Sequence, residues 1–184
     1  NITYSGGDDT APALTGTIPD GQTGIDNCKS NAPTGPTETQ IAAQYTDACG
    51  GDITVVKSGT PTGDDCDWSV TYNYTVRDKC SNFADEVNIT YSGGDDTAPS
   101  IDAAGSDLIL ACDDGDGNAT TIATWLADNG GADASDNCGG VNWSNNWNEL
   151  SLDDDCGAGG SVTVTFTAKD DCDNPTSFTQ DILV

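Results

Sequence analysis

Apolar and polar residues alternate without a break across residues 68–77. Trp68, Val70, Tyr72, Tyr74 and Val76 take every second position, with Ser69, Thr71, Asn73, Thr75 and Arg77 between them. A period of two puts each set on its own face of a strand, one face dry and one wet. At about 3.3 Å per residue, such a strand runs the length of a small sandwich domain. Val162, Val164, Phe166 and Ala168 repeat the pattern later in the chain. Shorter runs predict strands at 12–18, 53–57 and 83–91, and again at 108–111, 141–147 and 178–184. Two stretches read instead as short helices. One lies within 37–45, opened by a Thr-x-x-Gln capping box at Thr37 and Gln40. The other lies within 120–128, with Ile122, Trp125 and Leu126 facing inward and Gly130-Gly131 ending it.

The dodecamer NITYSGGDDTAP occupies residues 1–12 and recurs unchanged at 88–99. It reads as a junction: a closing strand NITY, a Ser-Gly-Gly turn, then Asp-Asp-Thr-Ala-Pro opening the next module. The expected division is therefore 1–7 as the last-strand end of a preceding repeat, 8–94 as one repeat and 95–184 as a second. Alternating strands and turn signals in modules of this size predict an all-β fold. The expected architecture is two tandem immunoglobulin-like β-sandwiches arranged end to end, each with two disulfides.

Charge narrows the partners. The chain has 31 acidic residues against 5 basic ones, a net charge of −26, and 28 of the acids are Asp. Asp favours turns over helices and ligates hard cations. A polyanion of this size repels nucleic acid and anionic lipid, so neither nucleic acid nor direct membrane insertion is expected. The alternating strands argue against disorder, one other reading of such acidity, while salt adaptation stays open and is compatible with cation binding.

Eight cysteines, four per module, occur with no His at all. Without His, His-based zinc sites and catalytic triads drop out. The cysteines predict disulfides and an oxidising setting, extracellular or at the cell surface. Strand direction in the sandwich favours Cys28–Cys66 with Cys49–Cys80, and by alignment Cys112–Cys156 with Cys138–Cys172. Pairing of neighbours along the chain stays open as the alternative. On chain entropy each preferred bridge contributes up to about 4 kcal/mol.

Asp8 and Asp9 open the first module at the pole where the topology also puts Asp47, Asp78 and Asn82. The matching set in the second is Asp95, Asp96, Asp136, Asp170 and Asn174. Converging carboxylate and amide oxygens suit Ca²⁺, which takes six to eight of them in loose geometry. A structural Ca²⁺ at each junction is the expected cofactor, bonded to both sides of the seam. The plainer alternative is that these residues cap turns and stay solvated.

Other candidates are weaker. Asp114, Asp116 and Asn118 alternate as an EF-hand begins, but Ala119 and Trp125 stand where its Gly and Glu are required. That stretch reads as a weak local calcium loop, and Asp153 to Asp155 as a solvated turn. Sequons at Asn1, Asn73, Asn88, Asn118 and Asn142 arise readily in an Asn- and Thr-rich chain. Trp143 and Trp147, four apart on a strand, share one face and could form a sugar platform, so the rival function is a carbohydrate-binding module. No carboxylate pair is singled out and no nucleophile–base set is present, so no enzyme is expected.

Several stretches resemble a known group of repeats. These are DDTAP at both junctions, ASDNCGG at 134–140 and SVTVTFTAKDDCDN at 161–174, with SDLILACDDGDGN and TWLADNGG before them. LTGTIPDGQTG, YTDACGG and DCDWSVTYNYTVRDKCSN in the first module resemble a second subtype of the same group. The group is that of immunoglobulin-like, hyalin-repeat-like modules tiling giant secreted or surface proteins of Bacteroidetes, gliding adhesins among them. Ser81 and Asp173 depart from it, because such repeats usually carry Gly after the last Cys. The resemblance implies secreted β-sandwich modules of structural or adhesive role, often calcium-dependent. The implied partners are neighbouring repeats of the same chain or filament, and surface glycans. It also implies O-glycosylation of Asp-Thr-Ala at Thr10 and Thr97. The expected function is a structural tandem repeat of an extracellular fibre, filament or giant surface adhesin. In a filament, a closing strand such as residues 1–4 would complete a neighbour's sheet.

Overall fold

The computed structural model describes residues 2–3, 6–111, 118–147 and 160–184. The chain divides into two compact units, Asn1–Asp95 and Asp96–Val184. Among the described residues both are built mainly of strands, with one short α-helix in each.

The first unit runs β1 (Ala13–Leu14), β2 (Gln22–Asp26), α1 (Glu38–Ala42), β3 (Tyr45–Thr46), β4 (Thr54–Ser58), β5 (Thr62–Gly63), β6 (Trp68–Arg77) and β7 (Val87–Gly94). The alternating stretch is β6, and it is central. It pairs antiparallel with β7 on one side and with β4 and β5 on the other. β2 adds to the far edge of β7 in parallel. β1 and β3 form a separate antiparallel pair.

Trp68, Val70, Tyr72, Tyr74 and Val76 are all buried. Ile41 of α1, Tyr45 of β3 and Ile89 of β7 pack with the last four of them into the first core. Each such side chain contributes about 1.5–3 kcal/mol by leaving water. A buried Tyr or Trp also needs a partner for its polar tip. The Pro-rich loop supplies two: Tyr72 Oη donates to Pro33 O at 3.1 Å and Tyr74 Oη to Pro36 O at 2.7 Å. Trp68 Nε1 donates to Asn27 O at 2.7 Å. The helix begins as its sequence dictates. Thr37 Oγ1 accepts from Gln40 N and Gln40 Oε1 accepts from Thr37 N, both arms of the capping box.

Two local expectations need correction. The strand expected over 12–18 shrinks to Ala13–Leu14, because Thr15 and Gly16 turn their amides onto Gln44 O. The Ser-Gly-Gly "turn" of the repeat is no turn at 92–94. Ser92 and Gly93 continue β7, opposite Ser69 and Trp68. Glycine is needed there because strands crowd both sides. A Cβ on Gly93 would lie 2.0 Å from Ile25 O, and one on Gly94 2.0 Å from Cys66 O.

The second unit runs β8 (Ser100–Ala103), β9 (Leu108–Ile109), α2 (Ala119–Ala127), β10 (Asp133–Ser135), β11 (Asn142–Asn145), β12 (Ser161–Lys169) and β13 (Pro175–Leu183). Its larger sheet has the order β11-β12-β13-β9, with β9 parallel to β13. β8 and β10 pair apart from it. Leu110, Ile122, Val164, Phe166 and Ile182 form the buried core. Rings extend it: Trp125 meets Phe166 edge-on at 5.1 Å, Phe166 stacks on Phe178 at 5.4 Å, and Trp143 meets Phe178 edge-on at 5.8 Å.

Among the described residues each unit therefore has one larger sheet and one two-stranded sheet, with a helix against the core. That is leaner than two full sheets. Asp114, Asp116, Asp153 to Asp155 and the expected Cys112–Cys156 bridge lie outside the described residues.

Candidate metal centres

The turn after β6 is built around one carboxylate. Asp78 is buried, and its Oδ1 accepts from Asn82 N at 2.8 Å while its Oδ2 accepts from Asn82 Nδ2 at 2.7 Å. Asn82 Nδ2 also donates to Asp8 O at 3.1 Å, which pins the opening segment of the module to this turn. The turn after β12 copies it. Asp170 is buried, its Oδ1 accepts from Cys172 N and Asn174 N at 2.8 Å each, and its Oδ2 accepts from Asn174 Nδ2 at 2.8 Å. Asn82 and Asn174 thus direct amide N–H groups at the carboxylates and orient them.

Burial by itself would push Asp78 up. The hydrogen bonds from Asn82 and Cys80, with a further one from Asp8, outweigh it and hold the carboxyl below its ordinary value.

A second loop brings another carboxylate to each group. Asp47 Oδ1 accepts from Cys49 N at 3.0 Å, and Asp136 Oδ1 accepts from Cys138 N at 2.8 Å. The other oxygen of each, Asp47 Oδ2 and Asp136 Oδ2, is buried and has no hydrogen-bond partner. One ligand atom each of Asp8, Asp47 and Cys49 lies within 4.8 Å of the others, and so it is for Asp95, Asp136 and Asp170. Two ionised carboxylates at that distance repel by roughly 3 kcal/mol at an effective dielectric of about 20. A hard divalent cation would offset this repulsion and supply the missing partner of the orphaned oxygens. The second set, three carboxylates from the opening segment and the two loops, fits Ca²⁺; the first offers the carboxylates of Asp8 and Asp47 with the Cys49 sulfur, and the expected Asp78 is not part of it. Asp9 and Asp96 stand apart from these groups and are exposed. Thr10 and Thr97 are exposed as well, and Thr10 N donates to Asp8 Oδ1 at 3.1 Å.

The cysteines need one correction. Cys28, Cys66, Cys138 and Cys172 are disulfide-bonded. Lys29 N donates to Asp65 Oδ1 at 2.9 Å and Lys29 Nζ to Gly63 O at 2.7 Å, which holds the Cys28 loop against the Cys66 loop. The expected Cys49–Cys80 bridge is absent; both are free, exposed thiols. The physical reason is visible beside Cys172. Asp171 accepts from Gly140 N at 3.3 Å and from Asn142 Nδ2 at 3.1 Å, zipping the Cys138 loop to the Cys172 turn. In the first unit Lys79 stands in place of Asp171 and Ile53 in place of Asn142, so neither bond can form. Sequence reasoning also missed Cys49 as a member of the first group. The signal was present, since Cys49 lies two residues after Asp47.

Trp143 and Trp147 are half-buried and pack against the second core. No helix of the described residues is long and apolar enough to cross a membrane. No protein-family model and no curated protein sequence matches this chain.

Proposed function

We propose that this chain is a structural tandem-repeat segment of an extracellular fibre, filament or giant surface adhesin. Its modules follow an immunoglobulin-like plan, and each is tied at its opening segment by a structural Ca²⁺. The supporting observation is the pair of buried, unpartnered oxygens at matched places, Asp47 Oδ2 and Asp136 Oδ2. A buried carboxylate oxygen without a donor is costly, and the same cost in the same place twice argues for a common ligand. The ion would bond Asp8 to the loop after β3 in the first module, and Asp95 to the loop after β10 and the turn after β12 in the second. The disulfides favour an oxidising, extracellular setting. Neighbouring repeats are the natural partners, and the role is mechanical, without catalysis. Exposed Thr10 and Thr97 are the candidate O-glycan sites.

Thermal unfolding with Ca²⁺ and with a chelator tests the reading. Binding at 100 times Kd should stabilise by about 2.7 kcal/mol. Asp136→Asn should reduce that gain. An unchanged midpoint with and without Ca²⁺ would remove the calcium from the proposal.

A further inference from the structure

β13 turns Phe178, Gln180 and Ile182 to one face, and Gln180 breaks that apolar row. It is only 7 % exposed and stands opposite Val164 of β12, itself fully buried. The first unit shows what the fold alone asks for at this place. Val164 lies six residues before Asp170, as Tyr72 lies six before Asp78. The residue opposite Tyr72 is Ile89, a member of the first core. The amide in the second unit is costly. Gln180 Oε1 is buried and accepts no hydrogen bond among the described residues. Two glycines make room for the group. A Cβ on Gly130 would lie 2.0 Å from Gln180 Oε1, and one on Gly105 2.5 Å from Gln180 Nε2. The amide lines a cavity of about 510 Å³, with Phe178 and Ile101 as apolar walls and exposed Ser106 and Asp107 at its rim.

We propose that this cavity binds the acetamido group of a neutral N-acetylated amino sugar. A secondary amide answers Gln180 on both sides: its N–H donates to Oε1 and its C=O accepts from Nε2. The acetyl methyl lies against Phe178 and Ile101, which explains apolar walls around a polar floor. Hydroxyls of the sugar ring reach the rim, where Ser106 can donate or accept and the Asp107 carboxylate accepts. Asp107 is held there because its Oδ1 takes Asp181 N at 2.9 Å. A cavity of this volume is in the range of small-ligand sites. The net charge of −26 turns away acidic sugars and leaves neutral ones. The first unit, with Ile89 in the place of Gln180, has no such amide. The proposal adds a ligand to the mechanical role and shares no residue with either cation group.

The test is a calorimetric titration of the full chain with N-acetylglucosamine, glucose and N-methylacetamide. N-acetylglucosamine should bind, and glucose at least about tenfold more weakly, because it leaves the buried amide unpaired. In the unsubstituted chain the side-chain NH₂ resonances of Gln180 should shift with N-acetylglucosamine and stay put with glucose. Gln180→Ile, which installs the residue of the first unit, should lose the binding and melt no lower than the parent chain, since an apolar side chain replaces an amide with an orphaned oxygen. Binding of both sugars alike, or undiminished binding by Gln180→Ile, would overturn the proposal. Binding of neither sugar would overturn it too and leave a buried water as the amide's partner. N-methylacetamide bound as tightly as the sugar would overturn the sugar as ligand and point to a peptide group instead. None of these outcomes bears on the calcium reading, which Asp95, Asp136 and Asp170 carry outside the cavity.

Discussion

Gly93 sits against the indole of Trp68. A Cβ on Gly93 would lie 2.8 Å from Trp68 Cζ2 and 2.0 Å from the Ile25 carbonyl oxygen. The repeated dodecamer provides its own control, because Gly6 is the same residue in the first copy and a Cβ there meets nothing within 4 Å. Gly93→Ala should therefore destabilise the first unit by about 1–3 kcal/mol, as overpacking does, while Gly6→Ala leaves it unchanged. Urea unfolding of the two variants, followed by Trp68 fluorescence, would decide the matter. Equal midpoints would contradict the packing described.

Asp78 gives the pH dependence. Its folded-state value is lowered, so its stabilisation is full above the unfolded-state value and is lost as pH falls through the folded one. Asn82→Ala removes the side-chain donor from Asp78 Oδ2 and from Asp8 O. The expected outcome is lower stability at neutral pH and acid unfolding that begins at higher pH. A series of unfolding midpoints from neutral pH down to about pH 2 checks it, the range over which a salt-bridged or hydrogen-bonded carboxylate titrates.

Lys79→Asp tests why one thiol pair is open. The new carboxylate would stand where Asp171 stands and could accept from Gly51 N, as Asp171 accepts from Gly140 N. The Cys49–Cys80 disulfide should then be the more populated form in a glutathione buffer. Peptide mapping across a series of buffer potentials measures the shift. No shift would mean that the zipping hydrogen bond is not the cause.

Ser81 and Asp173 occupy the left-handed region at φ 70° and 71°. A residue with a Cβ costs about 1 kcal/mol there, and glycine avoids the cost. Ser81→Gly should raise the stability of the first unit by about that amount. Asp173→Gly should gain less, because it loses the exposed ion pair to Lys169 at 3.0 Å, itself within about 1 kcal/mol. Thermal melts of both variants give the comparison.

How far the sequence could be read depended on how much each element owes to its own residues. β6 declared itself because all five of its alternating apolar side chains are buried, and α1 because both arms of its capping box lie within four residues. β2 could not be read. Gln22–Asp26 has only Ile25 facing inward and is a strand because β7 offers it an edge. Gly93 and Gly94 look like a turn in isolation, and only the crowding by Ile25 and Cys66 makes them strand. At the candidate centres, Asp8, Asp47, Asp95, Asp136 and Asp170 could be grouped by matched spacing in the two modules, which also put Asp78 with the first group, where the structure does not. Asp9 and Asp96 could not be separated from their neighbours that way, since a strand-like segment turns adjacent side chains to opposite faces. The open thiols at Cys49 and Cys80 go with two exchanges that only the folded second unit makes meaningful, Lys79 for Asp171 and Ile53 for Asn142.

Parallel pairing of the second strand of each unit with its last strand carries a mechanical consequence. When a unit is stretched from its ends, such a pair is sheared, so its hydrogen bonds resist together and do not peel one by one. The first unit sets Gln22, Ile25 and Asp26 of β2 against Tyr91, Gly93 and Gly94 of β7. The second sets only Leu108 and Ile109 of β9 against Ile182 and Leu183 of β13. Under a rising load the second unit should yield first, at a lower force in a single-molecule extension trace, and so act as the weaker link that spares its neighbour.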